Sequence, residues 1–336
     1  MLDKGFLEIN GSHLEGGGQI VRGAVSLSAM TGKKIKVHHI RARRDTPGLA
    51  AQHVAAIESV ARICDAEVRG NCPGSSSVTF IPAEPVRKDI DVSVGTAGSC
   101  SLVIQCWLPV ALSTGGRITV TGGTDVSKSP PADWLDRVLL ETLRRAGANI
   151  SMEITRRGFF PVGGGSISIE AGPGGMRPVT CDPGKVFREG GIISVSAGLP
   201  RHIAERQGAS AQSVVMEKTG EHLPLTIREE DGGPGSICTV WRGCKGGSAL
   251  GKKGLPAEKV GEMAAKGFYR EWDSHGAADR YLADQLVIYL AQYGGSLTTG
   301  NITRHTETML WLAGLFGSDI RVEAGTPQRI FNENSM

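Results

Sequence analysis

Three polar stretches concentrate the residue types able to do chemistry: RARRDTPGLAAQH, GGTDVSKSPPADW and GNITRHTET. They supply Arg41, Arg44, Gln52, His53, Asp125, Pro130, Trp134 and His305. Guanidinium forks match phosphate oxygens in pairs. An imidazole is a base or nucleophile near neutral pH, and an aromatic ring offers a base a face to stack on. The combination suits a nucleotide and a phosphate. LEGGGQIVR adds Glu15 and Arg22 around three glycines that lead into a helix, where backbone N–H groups can face an anion. Glycine-rich turns before helices are common, so that string is weak by itself. GGSALGKK, ending at Lys253, nearly fits a phosphate-binding P-loop. It lacks the hydroxyl that would hold Mg²⁺, and Pro256 delays the next helix, so it reads as a chance match.

Something must bring distant loops to one face. AVSLSAMTGKKIKV, LPVALSTGGRITV and LVIYLAQYGGSLTT share one pattern: an apolar helix stops at a glycine and a short alternating strand follows. A second helix and another strand come next, in VAAIESVARICDAEV, WLDRVLLETLRRAGANISM and TMLWLAGLFGSDIRV. Each unit reads as strand, helix, strand, helix, strand, with a further strand in the first two. The fold class is therefore α+β: three repeated helix-on-sheet modules of βαβαββ type. Gly32 and Gly115 stand 83 residues apart, but Gly115 and Gly294 stand 179 apart, an excess of 96. That excess predicts a smaller α/β domain inserted in the third module at 184–276, with 1–183 and 277–336 forming the core. Turn-forming CDPGK and WDSHGAA mark its borders. Within it, helices are predicted near 207–219 and 256–271, and strands near 223–229 and 235–242.

Composition narrows the class further. At 336 residues and 40% apolar content the chain can bury a sizeable core. A net charge of +3 is too small for a long nucleic-acid footprint, so a polyanion must meet a local cluster, of which His38, His39, Arg41, Arg43 and Arg44 are the densest. Seven cysteines without a CxxC pair suggest neither a disulfide framework nor a zinc ribbon, and reduced thiols point to the cytosol. The opening MLDKGFLEIN has no apolar stretch, and no run approaches a membrane span. A cytoplasmic location is the expectation.

LEGGGQIVR, IRARRDTPGLAAQH, GTAGSCSLVIQ, GGTDVSKSPPADW, FFPVGGG and YLADQL occur in this order, within a likeness that runs from about residue 11 to 315. Together they resemble the RNA 3'-terminal phosphate cyclase family. The resemblance implies a ligase-type, ATP-dependent conversion of an RNA 3'-phosphate to a 2',3'-cyclic phosphate, by way of an enzyme histidine–AMP and an RNA 3'-adenylate. The partners it implies are ATP and an RNA with a 3'-phosphate end, with Mg²⁺ or Mn²⁺ as cofactor.

By the same resemblance His305 is the nucleophile. Thr303 stands where the family pattern has Ser, and Met309 where it has Asn. Glu15 is implied to approach the metal, and Arg22, Arg41, Arg44, Gln52 and His53 to hold phosphate and the RNA end. Gln105 lines the ATP site, Pro130 and Tyr281 sandwich the adenine, Trp134 edges it, and Asp284 and Gln285 meet the ribose. Arg43 has no counterpart and reads as surface charge. Two other classes compete. One is a non-catalytic cyclase-like protein in ribosome assembly, which lacks the nucleophilic histidine. The other is a carboxyvinyl transferase, which needs two comparable domains closing on substrate.

Overall fold

The computed structural model describes residues 5–182 and 189–334. The chain opens with β1 (Leu7–Asn10), α1 (Gly18–Thr31), β2 (Ile35–His38), α2 (Ala51–Ile63), β3 (Glu67–Arg69) and β4 (Val78–Ile81). Isoleucine and valine alternate with polar residues along β2, so Ile35 and Val37 are buried and Lys36 is exposed. α1 ends at Gly32, whose φ of 69° is the left-handed value that favours glycine. The strands lie in the order β1-β2-β4-β3, with β1 and β2 parallel and the other pairings antiparallel.

The next segment runs β5 (Lys88–Ser93), α3 (Cys100–Thr114), β6 (Gly116–Gly122), α4 (Ala132–Trp134), a π-helical stretch Leu135–Leu140, α5 (Glu141–Arg145), β7 (Ile150–Arg156) and β8 (Gly165–Ala171). Its sheet order is β5-β6-β8-β7, with β5 and β6 parallel and the rest antiparallel. A third sheet begins at β9 (Val179–Cys181), after which residues 190–272 intervene. These hold β10 (Gly190–Ala197), α6 (Arg201–Thr219), β11 (Leu225–Glu230), β12 (Gly235–Arg242), β13 (Lys245–Leu250) and α7 (Ala257–Trp272). The third sheet resumes with α8 (Arg280–Tyr293), β14 (Gly295–Thr299), α9 (Arg304–Leu315), β15 (Arg321–Glu323) and β16 (Gln328–Asn332). Its order is β15-β16-β14-β9, with β9 and β14 parallel.

Helices fill the middle. α3 buries twelve of its fifteen residues, so it is enclosed on nearly all sides. It packs on α1, α2 and α8, while α9 packs on α1 and α8. Ser26 of α1 donates to the Cys106 carbonyl of α3 at 2.6 Å, a buried hydroxyl bond that joins the two helices. One apolar core runs through all three sheets. A second, around Val240, Val260 and Phe268, belongs to residues 190–272, whose own sheet has the order β11-β10-β12-β13.

Several sequence expectations shift. The first helix of residues 190–272 starts at Arg201 rather than near 207, because Pro200 ends the preceding extended backbone and no polar cap marks the start. β10 and β13 were not expected. β13 carries most of the P-loop-like string, and Gly246 and Gly247 pair across to Trp241 and Val240 of β12 as ladder residues. The third sheet has its additional strand after all, β16, beyond a turn that contains Pro327. The border placed at 183–184 lies outside the described residues.

Two buried polar clusters tie residues 190–279 to the rest. Asp279, fully buried, caps α8 by accepting from the N–H groups of Tyr281 (2.9 Å) and Leu282 (2.7 Å). Its other oxygen accepts from Gly246 N–H of β13 (2.9 Å) and the indole of Trp134 (3.3 Å). Arg157, also fully buried, pairs with Asp125 (3.1 Å), Asp133 (2.9 Å) and Glu230 of β11 (2.8 Å). Asp125 therefore belongs to this network and not to the polar loop face where the sequence placed it.

Candidate active site

His305 sits in the first turn of α9, with its side chain 49% exposed. Thr303 is the N-cap and its hydroxyl accepts from Thr306 N–H at 3.1 Å. Met309 is buried against Gly23 of α1, so apolar packing holds α9 in place where the family pattern has an amide. Thr308 donates to the Arg304 carbonyl (2.6 Å) and accepts from Glu15 N–H (3.4 Å), joining α9 to the glycine loop. His13 stacks on Trp311 at 4.1 Å and reinforces that junction.

The glycine loop brings in Glu15. One of its oxygens pairs with Arg44 and lies 3.8 Å from His305 Nε2. The other is buried without a hydrogen-bond partner. Gly17 is the N-cap of α1, and a Cβ there would strike the Glu15 carboxylate and the Arg44 guanidinium. A Cβ on Gly18 would strike the ring of His53. Glycine is needed here for close approach.

His53 is buried in the first turn of α2, and its Nδ1 accepts from Ala50 N–H at 3.0 Å. Burial pushes its pKa down to about 3, with Arg22 and Arg41 adding to the effect, so the ring is neutral at physiological pH. Gln52 accepts from Ser99 N–H (2.9 Å) and thereby joins α2 to the start of α3. Arg41 takes a left-handed φ of 51° and its guanidinium donates to the Gly48 carbonyl at 2.6 Å, closing the loop on itself. Arg43 is exposed.

A small cavity of about 50 Å³ lies beside His305, lined by Gln19, Arg22, Gln105, Asp284, Gln285 and Met309 among others. Gln105 of α3 donates to Gln285 of α8. Burial pushes the Asp284 carboxyl up to about 8, against the pull of Arg22. Burial also lowers the pKa of Arg22, which Cys106 and Asp284 partly restore. His305 is lowered by burial and then by Arg22 and Arg44, which keeps its ring neutral and nucleophilic near pH 7.

Glu15, Arg22, Arg44, His53, Gln105, Asp284, Gln285 and His305 thus gather where the glycine loop, α1, α2, α3, α8 and α9 meet. Tyr281 stands at the start of α8 with 58% exposure, a free aromatic face. Pro130 is half-buried just ahead of α4. Trp134, expected at an adenine edge, is 4% exposed and its N–H donates to Asp279. The sequence reading missed Gln19, whose carbonyl oxygen lies 2.7 Å from His305 Nδ1. Its position one helical turn before Arg22, on the same face of α1, was the available signal.

The family model described as RNA 3'-terminal phosphate cyclase matches residues 13–322. The chain belongs to the RNA 3'-terminal phosphate cyclase family. Among its relatives, a protein named RNA 3'-terminal phosphate cyclase from Methanosarcina barkeri is 41% identical over 93% of this chain and 94% of its own. One of the same name from Thermococcus gammatolerans is 40% identical, covering 95% and 94%. Another from Archaeoglobus fulgidus is 40% identical, covering 93% and 95%. A solved EPSP synthase from Acinetobacter baumannii aligns over 93% of this chain and 62% of its own, at 13% identity and a TM-score of 0.28, too weak a likeness to bear on fold or function. Among the described residues no helix is long and apolar enough to cross a membrane, and all seven cysteines are free.

Proposed function

We propose that this cyclase-family chain converts an RNA 3'-terminal phosphate to a 2',3'-cyclic phosphate with ATP, through a covalent adenylate on His305. The observation that carries the proposal is a half-exposed imidazole whose Nε2 stands 3.8 Å from Glu15, with the charges of Arg22 and Arg44 near enough to favour its neutral form. Nε2 attacks the α-phosphorus of ATP and pyrophosphate leaves. AMP passes to the RNA 3'-phosphate and frees the imidazole. The adjacent 2'-hydroxyl then attacks the RNA phosphorus, loses its proton, and expels AMP. Adenylation is needed because a terminal phosphate has no good leaving group of its own.

Arg22, Arg41 and Arg44 neutralise phosphate charge in this scheme, and Gln52 and His53 line the RNA end. Gln105 lines the nucleotide site, Asp284 and Gln285 meet the ribose, Pro130 and Tyr281 sandwich the adenine, and Trp134 edges it. The unpartnered oxygen of Glu15 fits one ligand position of a hard divalent cation, Mg²⁺ or Mn²⁺. Among the described residues no cluster of three or more metal-ligating side chains occurs, so the remaining ligands would be phosphate oxygens and water. Such an ion would offset triphosphate charge. We also read the three like-ordered sheets as copies of one βαβαββ module, with 184–276 inserted in the third. The proposed compartment is the cytoplasm.

Incubation with α-³²P-ATP tests the scheme: label should enter the protein in an acid-labile, alkali-stable form, with pyrophosphate released. Lys252→Ala should turn over normally, because Lys252 follows a sheet strand. ADP as the main product, or an inactive Lys252→Ala, would favour P-loop chemistry instead. Arg41→Ala and Arg44→Ala should each lose about 1–3 kcal/mol of transition-state stabilisation in steady-state cyclisation, as charge-assisted contacts do. Arg43→Ala should be silent. Equal losses at all three would indicate a diffuse basic patch.

A further inference from the structure

Gln19 touches the proposed nucleophile more closely than any residue given a role above. Its Oε1 lies 2.7 Å from His305 Nδ1, and its Nε2 donates to Asp284 Oδ1 at 3.4 Å. A carboxamide has one end that accepts and one that donates. The Asp284 oxygen engages the donating end, so only the accepting end is left for the imidazole. A carbonyl oxygen facing Nδ1 requires a proton on Nδ1. A neutral imidazole carries one N–H, so the lone pair must reside on Nε2. Nε2 is the nitrogen that faces the Glu15 side of the site.

We infer that Gln19 is a positioning residue, oriented by Asp284, which holds His305 in the Nδ1–H tautomer and thereby presents Nε2 to the α-phosphorus. The inference rests on His305 being the nucleophile. Three helices contribute one residue each: Gln19 from α1, Asp284 from α8 and His305 from α9. α1 is largely buried, so the amide hangs from a rigid base, whereas the imidazole stands half in solvent and needs an external constraint.

The test uses the full chain with ¹⁵N-labelled histidine at about pH 9, where imidazole is neutral and the Asp284 carboxyl, held at about 8, is ionised. The His305 signals are assigned by their loss in His305→Ala. The wild-type ring should show the Nδ1–H pattern, and Gln19→Met, which keeps length without the acceptor, should lose it. In parallel the rate constant for protein–AMP formation should fall by about a hundredfold or more in Gln19→Met, with KM for ATP little changed, as when a catalytic imidazole loses its orienting partner. Gln19→Glu keeps an acceptor for Nδ1–H but loses the donor to Asp284, so it should hold the tautomer less firmly than the wild type. A Gln19→Met chain that unfolds at the wild-type urea concentration separates positioning from a folding defect. Gln19→Met that retains the Nδ1–H tautomer, or that adenylates at the wild-type rate, overturns the inference. Protein–AMP formation that persists in His305→Ala overturns the nucleophile reading instead, and the ring tautomer is measured independently of it.

Discussion

His305→Ala abolishes label transfer from α-³²P-ATP to the protein and, with it, cyclisation of RNA 3'-phosphate ends; this is the expected result of removing the proposed nucleophile. The loss should be on the order of 10³-fold or more in rate, the scale seen when a covalent catalyst is deleted. Stability should change by no more than about 0.5 kcal/mol, because the side chain is half-exposed and its removal empties no core. The two measurements must be made together. A folded variant that still forms protein–AMP would move the nucleophile elsewhere. A variant that loses activity and unfolds at a markedly lower denaturant concentration would point to a capping role in α9.

The second large effect is on stability. Arg157→Met should cost about 3–5 kcal/mol in urea denaturation, since it leaves Asp125 buried without its cation and Asp133 with only Arg228 at 3.6 Å. The pH dependence distinguishes this cause from a simple packing loss. Burial already raises the Asp125 pKa, and Arg157 pulls it back down. Burial also disfavours the charge on Arg157, but Asp125 and Asp133 hold its pKa well above the ordinary value. Without Arg157 the folded-state pKa of Asp125 climbs further, so the folded chain binds more protons than the unfolded chain. The variant's deficit should be greatest near neutral pH and should shrink as pH falls through the raised folded value towards the ordinary carboxylate range. A deficit that is flat with pH would mean that lost packing, not uncompensated charge, is responsible. Asp125→Asn placed on top of Arg157→Met should recover part of the loss.

Much of the architecture was legible because glycine-stopped apolar helices leave a strong mark. Gly32, Gly115 and Gly294 each fall at the C-cap of a helix, and a strand follows each one. Gly246 and Gly247 misled in the opposite direction: glycines suggest a loop, yet these face close neighbours inside a sheet, Trp134 and the α7 backbone. Candidate site residues that lie on helices or glycine turns stand out in motif strings. Their partners could not, because pairing depends on how α1, α8 and α9 converge. Asp125 shows this most clearly. Its loop looks polar and exposed in sequence, but Arg157, which arrives from the end of β7, draws it inside. Trp134 likewise reads as an available ring until Asp279 is seen to hold its N–H.

The parallel pairing of β9 with β14 carries a consequence for biosynthesis. Val179 meets Gly295 across everything in between, so this pairing cannot form until the ribosome has emitted both ends of a very long loop. The sheets built from β1–β4 and from β5–β8 each close within one contiguous stretch and can be complete while the remainder is still being made. α8 and α9, which supply Asp284 and His305, flank β14 and belong to the late sheet. A nascent chain therefore holds Arg22, Arg41 and Arg44 in folded form well before His305 is made, and truncated translation products should lack the proposed adenylation.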